Sequence, residues 1–159
     1  MSDIIPIDAT DPVALAMAVG GAMFGRDQAS QTLGVTILDI GPGYATLTMT
    51  VRPDMLNGHQ TCHGGFLFAL ADSAFAFACN SRNEATVAAG CNIEYLRPVP
   101  VGTLLTATAV ERSLAGRSGV YDVTLTDPER VIVALFRGKS ARVKGDVLNA
   151  SIPESAVNP

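Results

Sequence analysis

The sequence predicts an α+β domain: an antiparallel sheet of about six strands wrapped around one long apolar helix, with a short helix ahead of them. Three observations predict it. A segment of helical length, GGFLFALADSAFAFAC from Gly64 to Cys79, is apolar on nearly every side, which places it in a core rather than on a surface. Stretches before and after it alternate apolar and polar residues with period two, the pattern of strands with one face packed and one face wet. Gly, Pro and Asp residues interrupt those stretches at hairpin spacing, which joins neighbouring strands antiparallel.

Residues 1–10 read as a flexible lead-in. Asp11-Pro12 has the form of an N-cap followed by proline at the first helical position, opening a short Ala- and Met-rich helix to about Phe24. From Leu33 the period becomes two. Thr46, Thr48 and Thr50 alternate with Leu47, Met49 and Val51, and Gly41-Pro42-Gly43 is the turn before this strand. Pro53 ends it. The helix follows to about Ser81, and from Phe66 to Cys79 it would be about 21 Å long, short of the roughly 30 Å of a bilayer core. Four more strands fit the remainder: Cys91, Ile93 and Tyr95 on one face of the first, Thr103 to Arg112, the alternation around Tyr121, Val123 and Leu125, and the run from Val131 to about Val143. The domain is expected to span 11–144, with 145–159 a disordered tail.

The chain has 159 residues, 48% hydrophobic and 16% charged, with a net charge of −4. That is one ordinary domain with no global basic field for nucleic acid. Three cysteines without paired spacing fit a reducing compartment better than a disulfide framework, and no basic-then-apolar leader opens the sequence. A cytoplasmic protein with no membrane span is expected.

The chemistry concentrates in NGHQTCHGG and the helix it opens. The loop from Asn57 holds both histidines of the chain, His59 and His63. The first-turn N–H groups around Gly64 and Gly65 sit at the positive end of the helix dipole, and glycine admits a ligand oxygen close to them. Asp72, a carboxylate in apolar surroundings, has the character of a base or a nucleophile, its pKa raised by desolvation or its charge held by a partner. Eight helical residues separate Gly64 from Asp72, about 12 Å, so one carbonyl does not reach both on a single helix. Two antiparallel copies of the helix, hence a dimer with two equivalent sites, would bring them together.

Each residue also has a plainer reading. Asp72 as the N-cap of a shorter helix would leave 66–71 in a strand. Asn57-Gly58 is a common turn dipeptide, and His63 and His59 can be structural loop residues. His59, Cys62 and His63 have the types of a zinc site, yet no second cluster completes it, and no metal is expected. Cys62 beside a histidine suggests a nucleophile, but adjacent residues rarely align as a working pair. Cys79 and Cys91 read as small core residues.

NGHQTCHGG with FLFALADSAFAFACNS, then IEYLRP and ALFRGKSARV, resembles the phenylacetate-pathway, PaaI-type acyl-CoA thioesterases of the hotdog-fold superfamily, over roughly Asp11 to Lys144. The resemblance implies a hotdog fold, a dimer and usually a tetramer of two dimers, active sites at the subunit interface, and hydrolysis of aryl- or arylacetyl-CoA thioesters. It implies no cofactor, coenzyme A being part of the substrate. Matched position by position, it makes Asp72 the catalytic carboxylate, Gly64 the backbone N–H that polarises the thioester carbonyl, and Asn57 and His63 the polar groups that orient the reactants. A serine or threonine that holds water in related enzymes falls at Ala88 here. Substrate or coenzyme A is expected at Gly65, and coenzyme A phosphates at the basic run of Arg137, Lys139 and Arg142, with Lys144 beyond it. Two other functions fit the pattern: an acyl-thioester hydratase or dehydratase, which needs a histidine beside the acid, and a non-catalytic acyl-CoA sensor.

Overall fold

The computed structural model of the chain describes residues 10–150. Helix α1 (Pro12–Arg26) is capped by Asp11, whose Oδ1 accepts from the N–H of Val13 at 2.9 Å. A second short helix, α2 (Gln28–Thr32), was not legible in the sequence. Asp27 starts it by accepting from the N–H of Ser30. Strands β1 (Thr36–Gly41) and β2 (Tyr44–Thr50) form a hairpin whose turn needs Gly43 at a φ of +75°. A single 3-10 turn, Pro53–Met55, leads to the loop from Asn57 and then to α3 (Gly64–Asn80). Strands β3 (Thr86–Tyr95), β4 (Leu104–Ala115), β5 (Ser118–Thr126) and β6 (Ile132–Arg142) complete one antiparallel sheet in the order β1-β2-β4-β5-β6-β3.

α3 lies on one face of this sheet. Its Leu67, Leu70, Phe75 and Phe77 are buried against Leu47, Leu105, Tyr121, Val123, Leu125 and Phe136. The Phe75 ring centre is 5.5 Å from that of Tyr121 and 5.9 Å from that of Phe136. A Cβ at Gly138 of β6 would come within 2.9 Å of the Phe75 ring, so the glycine in FRGKS is the seat for that aromatic.

Asp72 is in mid-helix, so its reading as an N-cap is overturned. The wrapping of the helix is incomplete. A stripe of Gly65, Ala69, Asp72 and Ala76 is only partly buried, because one layer of strands cannot cover every side of a helix. β3 shares this openness: it is an edge strand, exposed along most of its length. It starts at Thr86, ahead of the alternation read from the sequence, and carries a bulge at Ala89 between Ala88 and Gly90. The bulge resets the phase of the strand. Ala88 and Cys91 both take the side that pairs with the inward positions of β6, and period-two reading missed the five residues before Cys91.

Cys79 is core as expected, but Cys91 is exposed, on the open edge strand. The chain also stays docked beyond Lys144. Val147 is buried, its N–H and that of Leu148 donate to Asn83 Oδ1, and Arg26 donates to its carbonyl, so 145–150 belong to the domain. The remaining tail and the lead-in, 151–159 and 1–9, lie outside the described residues. Among the described residues no helix is long and apolar enough to cross a membrane.

Candidate active site

The loop before α3 is built by Asn57. Its Oδ1 accepts from the N–H of His59 at 2.8 Å and of Thr61 at 3.3 Å, and its own N–H donates to the Thr61 carbonyl at 2.8 Å. The turn this makes seats Gln60 at a φ of 62° and delivers the chain to the helix. Asn57 is therefore a turn residue, as the plain reading had it. Its side-chain amide N–H groups are nonetheless not taken by any acceptor among the described residues.

His63 is the N-cap of α3, its Nδ1 accepting from the N–H of Gly65 at 2.9 Å. That bond gives both residues a structural part. The Gly65 N–H is occupied, and the His63 nitrogen that faces the helix is an acceptor already in use. Phe66 N–H is likewise taken, by the His63 carbonyl at 3.0 Å. The N–H of Gly64 has no acceptor among the described residues, and it is the donor the first turn leaves open.

Tyr95, at the end of β3, holds this glycine from the other side. Its hydroxyl donates to the Gly64 carbonyl at 3.0 Å, and a Cβ at Gly64 would lie 2.9 Å from the Tyr95 ring. Asn57, Thr61, Cys62, Gly64, Leu67 and the Tyr95–Pro98 segment line one open cleft of about 430 Å³. Neither Tyr95 nor Arg97 was singled out from the sequence as a site residue. Both stood in IEYLRP, and the signal that would have marked them is the edge position of β3.

Asp72 does not line this cleft. It is half-buried on the partly buried stripe of α3, and desolvation raises its pKa above the ordinary carboxylate value, an effect partly offset by a hydrogen bond from Cys91. The Cys91 Sγ lies 3.9 Å from Asp72 Oδ1. The thiol is itself pushed up, first by desolvation and then by the Asp72 charge beside it. An acid whose proton is held more tightly than usual is a stronger base once ionised. Cys62, by contrast, is buried and its pKa is raised to about 11 by desolvation, which leaves it a thiol and removes it as a nucleophile. Among the described residues no three His, Cys, Asp or Glu side chains gather as a metal site.

The basic run of β6 does not converge on the cleft. Arg137 is engaged by Asp122 at 2.6 Å and 2.9 Å, and Arg142 pairs with Glu84 at 2.9 Å. Arg137 and Lys139 fall on the outward face of β6, opposite in phase to the buried Phe136, Gly138 and Ser140. In the sheet Arg142 stands beside Thr86, at the other end of β3 from Tyr95. Ala88, which occupies the expected place of a water-holding hydroxyl, has none to offer. The polar side chain that β3 presents to Asp72 is Cys91.

The chain is similar in sequence and in structure to known proteins. The sequence profile of the family described as Thioesterase superfamily matches residues 59–134. The acyl-coenzyme A thioesterase PaaI of Escherichia coli K12 is 50% identical over 126 residues, 79% of this chain and 90% of that protein. The solved structure of the E. coli PaaI protein from the phenylacetic acid degradation operon superposes with a TM-score of 0.84 at 47% identity, covering 86% of this chain and 99% of that one. A mutant of the phenylacetic acid degradation protein PaaI of Thermus thermophilus superposes with a TM-score of 0.69 at 44% identity, covering 72% and 97%.

Proposed function

Because the chain belongs to the thioesterase superfamily, as a PaaI-type acyl-CoA thioesterase with the hotdog fold, we propose that it hydrolyses aryl- or arylacetyl-CoA at a site shared by two subunits. The observation that carries the reading is the division of labour along α3. Its free N–H at Gly64 opens into a cleft, while its one carboxylate lies two turns away, half-buried beside Cys91 of the edge strand.

A second copy supplies what each chain lacks. Gly64 touches Tyr95 and Asp72 touches Cys91, so eight helical residues and four strand residues measure the same span, about 12 and about 13 Å. A two-fold axis midway, near Phe68 on α3 and Ile93 on β3, would pair the open β3 edges antiparallel and set Asp72 of each chain opposite Gly64 of the other. The small residues of the stripe let two helices approach closely. Val87, Tyr95 and Leu96, each about half exposed, are apolar surface that such pairing would cover. We take this dimer as the unit of function and a pair of dimers as the larger assembly.

In that arrangement the thioester carbonyl accepts from the Gly64 N–H at the positive end of the helix, with Asn57 beside it in the cleft. Asp72 removes a proton from water as the water oxygen attacks the carbonyl carbon. The tetrahedral oxyanion is held by the same N–H, and its collapse breaks the C–S bond and releases the free acid and coenzyme A thiol, the proton passing to sulfur. Direct attack by Asp72 through a mixed anhydride uses the same two groups. His63 serves as the cap that keeps the Gly64 N–H in place. A hydratase or dehydratase is the second reading, and it would turn over β-hydroxyacyl thioesters without releasing thiol.

The test is thiol release from phenylacetyl-, hydroxyphenylacetyl- and hexanoyl-CoA, wild type against Asp72→Asn. Fast turnover of the aryl esters that collapses in a folded Asp72→Asn protein is the expected result. A wild type silent on all three, or a variant that matches it, would sink the reading.

A further inference from the structure

Two glycines in a row are a loose start for a helix that has to aim a donor. Gly64 and Gly65 open α3, and glycine has the widest backbone freedom to lose on ordering. The open Gly64 N–H belongs to the peptide between His63 and Gly64. The near side of that peptide is held, because the His63 N–H donates to the Met55 carbonyl at 2.8 Å and the His63 carbonyl accepts from the N–H of Phe66 at 3.0 Å. On the far side the hold comes from outside the helix: the hydroxyl of Tyr95 donates to the Gly64 carbonyl at 3.0 Å.

The sheet sets the tyrosine in place. Tyr95 is the last residue of β3, opposite the small, buried Ala134 of β6, and the next two N–H groups, those of Leu96 and Arg97, both turn to the Val133 carbonyl. A Cβ at Gly64 would lie 2.9 Å from the Tyr95 Cζ and 3.1 Å from its hydroxyl oxygen, so ring and glycine fit only as a pair. Tyr95 is 51% exposed at the end of an edge strand, so core packing does not call for it, and phenylalanine would give the same ring contact. What the tyrosine adds is the hydroxyl. That hydroxyl is committed to the carbonyl of the residue whose N–H is left open.

We propose that Tyr95 is a positioning residue of this site, its hydroxyl fixing the first turn of α3 so that the Gly64 N–H is aimed in advance at the thioester oxygen. The proposal rests on the thioesterase reading above. The hydroxyl acts through Gly64 and not on the reacting atoms. Without it the donor is less well aligned at the moment charge builds on the oxygen, so the loss falls on kcat and leaves KM alone.

The experiment compares wild type, Tyr95→Phe and Tyr95→Ala on phenylacetyl-CoA and hexanoyl-CoA, reading kcat, KM, the pH–rate profile and thermal unfolding. The expected result is that Tyr95→Phe, which keeps the ring, lowers kcat about three- to tenfold with KM unchanged. The fall is the same factor on every ester the wild type hydrolyses, because the donor meets the carbonyl whatever the acyl group. The acid limb of the profile stays at the wild-type pH, since Asp72 lies two turns away. A Tyr95→Phe protein with wild-type kcat would overturn the proposal, whether its melting temperature falls or not, and a loss seen only in Tyr95→Ala would assign the effect to the ring. A raised KM with kcat unchanged, a fall confined to the aryl ester, or a shifted acid limb would each overturn it as well, while the hydrolase stands. A wild type silent on both esters would remove the function and the positioning role together.

Discussion

At its C-terminal end α3 is tied off by the side chains of its own chain, whereas at its N-terminal end one backbone donor is left for something outside it. The Asn80 amide exchanges two hydrogen bonds with the backbone of Thr86, both 2.9 Å. Ser81 Oγ accepts from the N–H of Gly43 and donates to the Ala78 carbonyl, each at 2.8 Å. Just beyond, Glu111 is held by Arg82 at 2.6 Å and by the hydroxyl of buried Tyr121 at 2.9 Å. Each of these polar side chains has its partner, which is how a helix end serves stability. The other end commits His63 to Gly65 and Tyr95 to the Gly64 carbonyl, yet leaves the Gly64 N–H open. The difference teaches where to cut: changes at the closed end should cost stability and spare chemistry, and changes at the open end the reverse.

The sharpest cut is Asp72→Asn, expected to lower kcat by about 10²- to 10⁴-fold with the fold retained, checked by thiol release and circular dichroism. Next is the open donor itself. Proline is accepted at the first position of a helix and has no N–H, and Tyr95→Ala makes room for its ring. Against Tyr95→Ala alone, adding Gly64→Pro should cost about 10²- to 10³-fold in kcat. A donor that does no chemistry would show no such difference.

At the closed end Glu111→Gln should lower stability by about 1–3 kcal/mol in denaturant unfolding while kcat stays unchanged. Burial raises the Glu111 pKa, but hydrogen bonds from Arg82 and Tyr121 outweigh it and hold the carboxyl below its ordinary value. Its contribution is therefore present above the unfolded-state pKa and is lost as pH falls through the folded one, so the deficit of the variant should vanish in acid. Asp72 has the opposite sign. Its raised pKa means the folded chain binds the proton more tightly, so Asp72 costs stability as pH rises above 3.8, and Asp72→Asn should melt higher at neutral pH but not in strong acid. Smallest of all is Cys91→Ala. Losing the thiol donor raises the Asp72 pKa further and should move the acid limb of the rate profile to higher pH.

The fold was readable because its cues were local. The apolar helix with its start near Gly64, the alternating strands and the cap at Asp11 all follow from residue type at fixed spacing. Asp72 was readable for the same reason, as a charge where the pattern calls for an apolar residue. What was not readable depends on pairing. No spacing rule ties Arg137 to Asp122 or Arg142 to Glu84, yet those pairs, with the outward phase of Lys139 on β6, keep the basic run off the cleft. Nor does any reveal that β3 is an edge, which turns Cys91 from a core residue into the neighbour of Asp72 and sets Tyr95 and Arg97 at the site. The bulge at Ala89 hid the first half of that strand by breaking its period.

The central claim is that one active site takes Gly64 from one chain and Asp72 from another, and mixed dimers test it most directly. Asp72→Asn and Gly64→Pro/Tyr95→Ala chains, each nearly inactive alone, would be co-expressed with different tags and the doubly tagged species purified. Each mixed dimer then holds one site with Gly64 and Asp72 both intact and one site with neither. The account predicts thioesterase activity restored to roughly half that of wild type per mixed dimer, since one of its two equivalent sites is whole. Mixed dimers as inactive as their parents would contradict it and place the whole site within a single chain.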